Sequence, residues 1–320
     1  MKQKIIFDTD PGVDDAMAIQ VLLNSPEIEV LGLTTIYGNV DLEKTTTNAL
    51  RLLEIAGRID IPVAKGAAKP LSRPFGGGVA FVHGEDGQGN TFREPSKNGI
   101  HHLPAIDFIS EEVKKYPNEI TLVAVGPLTN LALFIQKYPE LIPLLKEVII
   151  MGGNAFCPGN ATPSAEANIF NDPEAADMVF ATNWQISMVG LDVTEKVFMS
   201  SEQLTKIASR SSDINKYVSE ATVFYLEFYK KNNKIDGIFV HDSSAVAYLL
   251  NRDLFTVASY PLLVEKIDSP SLGKTWPMLD KAPDFEERPT LKPWQNRPNV
   301  DICVDVQTEA VLELIVDRLY

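Results

Sequence analysis

Along most of this chain, short apolar runs rich in β-branched residues alternate with longer amphipathic stretches, and that alternation restricts the fold more than any other property of the sequence. "KIIF" (4–7) reads as a buried strand and residues 14–24 as a helix. "EVLGLTTIYG" (29–38) and "LEKTTTNALRLLEIAG" (42–57) repeat the pair, with Gly57 placed to close the second helix. The pattern recurs with strands over 119–126, 146–153 and 185–192 and helices over 128–138 and 172–182. It predicts an α/β fold, a mostly parallel sheet with helices on both faces. Strands apolar along their whole length fit a sheet covered on both sides. After Asp192 the chain reads as largely helical, with helices over 213–231 and 241–250, then a strand over 300–306 and a final helix. The Gly-rich piece 76–90 and the Pro-rich piece 268–300 read as long loops over a site. No repeat or linker divides the 320 residues, so a single domain, 1–320, is expected.

Open α/β sheets bind ligands beyond the carboxyl ends of their strands, and polar residues gather there. The first strand runs straight into "FDTDPGVDD", which puts Asp8, Asp10, Asp14 and Asp15 within eight positions. Carboxylates that close repel one another unless a positive partner sits among them. Capping of the following helix accounts for one or two of them, but not for four. A hard cation accounts for the set, because calcium takes roughly six to eight oxygen ligands. The spacing is not that of an EF-hand loop, since the twelfth position from Asp8 is Ile19 instead of Glu. Further oxygens must then come from distant loops. Phosphatases of the haloacid-dehalogenase type also open on an apolar strand and "DTD", but the continuation "PGVDD" departs from their pattern. Other expected strand ends offer Asn39 in "TTIYGN", the Val125 carbonyl in "VAVGPLTN", and Asn154, Asn160, Glu166, Asn168 and Asp172 on one loop. His241 and Asp242 stand just before a helix in "FVHDSSA".

Composition narrows the partners. A net charge of −14 argues against nucleic acid and against an anionic membrane surface. The two cysteines, Cys157 and Cys303, form neither a disulfide framework nor a zinc pattern and read as idle thiols. The N-terminal apolar run is too short for a signal-peptide core. No run approaches the ~18 apolar residues of a membrane span. A cytoplasmic protein acting on a small molecule is expected.

Taken in order, "DTDPGVDDAMAI", "TTIYGN", "VAVGPLTNLAL", "VIIMGG", "GNATPSAEANIFNDPEAA" and "VHDSSAVAYLL" span the chain and resemble the inosine–uridine-preferring nucleoside hydrolase family. The resemblance implies a Rossmann-like sheet that holds one Ca2+ ion, with additional C-terminal helices. It makes Asp10, Asp15, the Val125 carbonyl and Asp242 the metal ligands. Asp14, Asn39 and Asn168 would grip the ribose 2′ and 3′ hydroxyls, and Asn160 and Glu166 the 5′ hydroxyl, with Asn154 close by. Asp10 would serve as general base toward water and His241 as donor to the leaving base. His83 falls on the Gly-rich loop where the purine-specific branch relies on tryptophan, which favours the inosine–uridine type. Tyr225 and Tyr229, at i and i+4 of one helix face, reach toward the base or pack in the core. Asp8 stands behind the metal, and Trp276 and Trp294 pack under a long loop. Two readings stay beside this one: a pyrimidine-preferring hydrolase of the same family, and a calcium-dependent nucleoside-binding protein. A homodimer or homotetramer is expected from the resemblance.

Overall fold

The computed structural model describes residues 2–209, 212–280 and 283–319. Nine strands form its main sheet: β1 (Gln3–Thr9), β2 (Ile28–Thr35), β3 (Val63–Lys65), β4 (Ile120–Ala124), β5 (Glu147–Met151), β6 (Ile186–Val189), β9 (Phe255–Val264), β10 (Thr275–Pro277) and β11 (Asn299–Val306). The short strands β7 (Phe198–Ser200) and β8 (Gly237–Phe239) pair with each other in a separate antiparallel ribbon. The order across the main sheet is β10-β9-β11-β6-β5-β4-β1-β2-β3. Every pairing from β3 to β11 is parallel, and β9 and β10 extend the sheet antiparallel.

The chain builds outward from β1 in one direction through β2 and β3, then returns to start β4 on the other side of β1. Between β1 and β4 the connections leave toward opposite sides. That opens a crevice at the carboxyl ends of the two strands, where this class of sheet binds ligands. Asp8 pairs with Ala124 across it.

Alternate residues of each central strand feed two separate cores. Ile5, Phe7, Val123 and Ile149 face one, and Ile6, Leu122, Val148 and Ile150 face the other. That double burial is why these strands are apolar throughout. The helix Val13–Leu23 is buried from Val13 to Leu22, because it lies between the sheet and the helices Asp213–Asn232 and His241–Leu250. The helix Leu42–Ile55 starts on the Asp41 side chain, which accepts from Lys44 N at 3.0 Å, and ends just before Gly57 at φ +68°.

The expected strands and helices through β6 are present, but β3, the helical turn Ala80–His83 within the expected loop and the helix Ala105–Lys115 are additions to them, and further departures follow β6. The segment expected to be a strand to Asp192 leaves the sheet at Gly190 and forms a helical turn, Leu191–Thr194. Strand β9 was not expected in a region read as helical. It alternates buried and exposed positions only partly, since it lies outside the doubly covered centre. Strand β10 likewise falls inside the segment expected to be loop. Trp276 on β10 is 41% exposed rather than packed under a loop. The Trp294 indole donates to the Trp276 carbonyl at 2.9 Å. No helix among the described residues is long and apolar enough to cross a membrane.

Phe134 tests the second core, being fully buried with its ring against Trp184 at 6.2 Å between centroids. Phe134→Ala should lower stability by about 3–5 kcal/mol through the cavity it leaves, measured by urea unfolding, without moving the residues of the crevice.

Candidate active site

The crevice begins with β1. Asp8 points back into the sheet, where its Oδ2 accepts from Thr34 Oγ1 at 2.6 Å and Asn130 Nδ2 at 2.7 Å. Burial pushes its carboxyl up to about 7 even against the lowering effect of those two donors. Asn130 also donates to the Thr35 carbonyl, so Asp8 joins β1, β2 and the helix Thr129–Lys137.

Asp10 lies beyond the strand end. Its Oδ2 accepts from the Asn39 backbone at 2.7 Å, while Oδ1 is buried without a partner among the described residues. A Cβ added to Gly126 would lie 2.5 Å from Oδ1 of Asp10, and one on Gly38 only 2.0 Å from Oδ2. The glycines of "VAVGP" and "IYGN" therefore let backbone close directly around this carboxylate.

Asp14 and Asp15 occupy the first turn of the helix Val13–Leu23. Asp15 accepts from Thr9 Oγ1 at 2.5 Å, from Gly12 N at 2.9 Å and from Asn39 Nδ2 at 3.0 Å. Asp14 Oδ1 has no hydrogen-bond partner among the described residues, and His83 Nδ1 lies 3.7 Å from it. Asp242 comes from the first turn of the helix His241–Leu250. One oxygen from each of Asp14, Asp15 and Asp242 falls within 4.8 Å of the others, so these three could hold a metal ion. Burial pushes the carboxyls of Asp14 and Asp15 up to about 6. Burial, then neighbouring carboxylates, lifts Asp10 and Asp242 well above the carboxylate range.

An aromatic and histidine wall faces the acids. His83, at the end of the turn Ala80–His83, accepts from Val13 N through Nδ1 at 3.1 Å and stacks on Tyr225 at 5.2 Å between centroids. Tyr225 donates to Asp14 Oδ2 at 3.4 Å and lies 3.3 Å from the Tyr229 hydroxyl, which lies 3.3 Å from His241 Nε2. His241 Nδ1 is 2.8 Å from Thr194 Oγ1. Burial holds both histidines down at about 4, so each ring is neutral at neutral pH. The two tyrosines pack in the core and face the acids at once, which joins the two expectations for them.

The loop after β5 is arranged differently. Asn168 Nδ2 donates to the Val125 carbonyl at 2.8 Å and the Met151 carbonyl at 3.2 Å, tying the ends of β4 and β5 together. The Glu166 carboxylate accepts from the backbone of Gly153, Asn168 and Ile169 and caps the helix Ala167–Asn171. Asn160 is exposed and accepts from Ala167 N at 3.0 Å. Asn154 donates to the Cys157 and Ser164 carbonyls. Asp172 caps the helix Pro173–Phe180 and accepts from Thr129 at 2.6 Å. Sequence reasoning passed over Thr9, Thr34, Asn130 and Thr194, which hold the site residues in place. It also passed over Lys274, whose ammonium donates to the Asn154 and Cys157 carbonyls. A buried threonine has no sequence signature; Thr9, inside "DTD", was the one within reach.

Buried carboxylates at the switch point of a parallel sheet, facing neutral histidines and phenols, define an α/β enzyme site built to hold positive charge. The model of the inosine-uridine preferring nucleoside hydrolase family matches residues 5–313. The chain is 41% identical over 320 residues to probable uridine nucleosidase 2 of Arabidopsis thaliana, covering 99% of this chain and 98% of that one. It is 38% identical over 321 residues to the inosine-uridine preferring nucleoside hydrolase of Crithidia fasciculata, covering 100% and 98%. A solved plant nucleoside hydrolase superposes with a TM-score of 0.94 at 38% identity, over 100% of this chain and 99% of that one. The chain belongs to the inosine-uridine preferring nucleoside hydrolase family.

The raised carboxyls fix a pH dependence. Below about pH 6 protons occupy Asp14 and Asp15 and compete with a cation. Calorimetric titration with a divalent cation should show affinity rising with pH through that point, and further as Asp10 and Asp242 give up their protons. For the metal-free protein the sign is opposite. Acids raised by burial contribute stability below their unfolded values and lose it as pH rises through about 6. Its melting temperature should therefore fall over that window, and the cation should restore it.

Proposed function

We propose that the protein hydrolyses the N-glycosidic bond of ribonucleosides of the inosine–uridine type to ribose and free base, with calcium as its metal. The observation that carries this reading is the pair of buried Oδ1 atoms of Asp10 and Asp14 without a hydrogen bond among the described residues, with Asp14, Asp15 and Asp242 close enough to share a cation. Such oxygens call for a cationic or hydroxyl-bearing partner, and an all-oxygen donor set suits a hard cation. Asp10, Asp15, the Val125 carbonyl and Asp242 would hold the ion. Bound there, calcium supplies a positive charge that holds the ribose diol and eases deprotonation of the attacking water.

The chain's own residues do the rest. Asp10 takes the proton from water as the water oxygen bonds to C1′ and the bond from C1′ to the base nitrogen breaks. Asp14, Asn39 and Asn168 grip the 2′ and 3′ hydroxyls. Asn160 and Glu166, with Asn154 nearby, serve the 5′ end. The carboxylates around the sugar stabilise the oxocarbenium character of the transition state. His241, neutral through burial, offers a ring N–H to the charge growing on the departing base. His83, Tyr225 and Tyr229 form the wall against that base. Having both a base and a leaving-group donor separates this reading from a nucleoside-binding protein.

A second reading, preference for pyrimidine ribonucleosides, is favoured by the uridine nucleosidase name of the Arabidopsis relative. We place the enzyme in the cytoplasm, which its two free cysteines suit, as a homodimer or homotetramer.

Incubation with inosine, uridine, cytidine and adenosine, with free ribose as readout, tests the reading. Ribose should appear and should vanish with a calcium chelator. Asp10→Asn should lower kcat by at least about 100-fold, and 2′-deoxyuridine should be a poor substrate. No ribose from any of the four refutes the proposal, and uridine and cytidine cleaved far faster than inosine would establish the pyrimidine preference.

A further inference from the structure

Which of its two ring nitrogens carries the proton decides what His241 can offer a leaving base. The hydrogen bonds through the ring run between two fixed ends. At one end, Tyr225 donates its hydroxyl to Asp14 Oδ2. The Tyr225 oxygen can then accept from the Tyr229 hydroxyl, 3.3 Å away, and the Tyr229 oxygen can accept from His241 Nε2, also at 3.3 Å. When each of these contacts is a hydrogen bond, the chain followed from Asp14 puts the imidazole proton on Nε2.

The other end gives the same answer independently. Thr194 is fully buried in the turn Leu191–Thr194, and its Oγ1 lies 2.8 Å from His241 Nδ1. That is the shortest contact of the series, since the three phenol contacts span 3.3 to 3.4 Å. Among the described residues the Thr194 hydroxyl has no other partner, so its hydrogen goes to Nδ1. The opposite tautomer would point an N–H at that hydroxyl and leave the buried hydroxyl hydrogen without an acceptor among the described residues. It would also break the hydrogen bond between the two phenols, because Tyr229 would then give its hydrogen to Nε2 while Tyr225 gives its own to Asp14. A buried donor without an acceptor is the costlier arrangement.

We infer that Thr194 is a positioning residue for the hydrolysis: its hydroxyl donates to Nδ1 of His241 and keeps the ring proton on Nε2, the nitrogen on the side of the tyrosines and Asp14. The inference rests on the leaving-group role of His241 proposed above. Thr194 need not touch the substrate, and nothing in "GLDVTEKV" marks it. It acts as the partner that sets a histidine's tautomer does in metal and hydrolase sites.

Nitrogen NMR of the calcium-loaded protein with labelled histidine tests it, the His241 signals being assigned by their loss in His241→Asn. In the unmodified protein Nδ1 should be of the unprotonated type and Nε2 of the protonated type; the reverse overturns the inference. Thr194→Val, which keeps shape but removes the donor, should give a mixture of tautomers. Its kcat on uridine should fall about 10- to 100-fold with KM moved by no more than about twofold. Thr194→Ser should restore the rate. On 4-nitrophenyl riboside, whose leaving group departs without help, Thr194→Val should match the unmodified protein. Equal losses on both substrates, or none on uridine, overturn the inference. Should Thr194→Val not fold, the spectrum of the unmodified protein decides. If the unmodified protein releases no ribose from any ribonucleoside, the functional reading fails, and the nitrogen spectrum still settles the tautomer.

Discussion

Four buried carboxylates, those of Asp10, Asp14, Asp15 and Asp242, are brought together by two helix starts and a strand end and repel one another, with Asp8 turned into the sheet behind them. Much of the surrounding structure holds them in place against that repulsion. Hydrogen-bond donors fix part of each charge: Thr34 and Asn130 on Asp8, the Asn39 backbone on Asp10, and Thr9, Gly12 and Asn39 on Asp15. Asp10 and Asp14 each keep an oxygen that nothing among the described residues satisfies. In a low-dielectric pocket such oxygens attract positive charge far more strongly than exposed ones do. The same constraint explains Gly38 and Gly126, where any side chain would collide with Asp10.

The scaffold supplies the rigidity this requires. Strands β1 and β4 are covered on both faces by separate cores, so the backbone from which Asp8, Asp10 and Val125 emerge has little freedom. The helix Val13–Leu23, buried along nearly its full length, fixes Asp14 and Asp15 just as firmly. Opposite them, burial keeps His83 and His241 neutral. One wall of the crevice is thus anionic and the other offers neutral hydrogen-bonding groups. A sugar that gains positive charge and a base that gains negative charge need that division.

The acids and the central strands were legible because each rests on local pattern. "KIIF" is apolar without interruption, and "DTDPGVDD" announces its carboxylates residue by residue. The strand β9 was not legible, since its side chains meet a mixed environment at an outer part of the sheet and carry no clean period. The loop residues were found but their partners were not. Glu166 looks the same in sequence whether or not its carboxylate also caps the helix Ala167–Asn171. Asn154 and Asn168 likewise turn their amides to backbone carbonyls.

What the sequence determined by itself is the alternation that makes the parallel sheet, the acidic turn after its first strand, and the ordered motifs that place the chain in its family. Local periodicity and residue chemistry are enough for those. Only the tertiary structure decided that Asp14 and Asp15 meet Asp242 from a helix more than two hundred residues away. It alone placed Thr194 on His241 and the Tyr225–Tyr229 pair between that histidine and Asp14. Those contacts depend on which strands lie side by side at the switch point, and chain separation carries no record of that order.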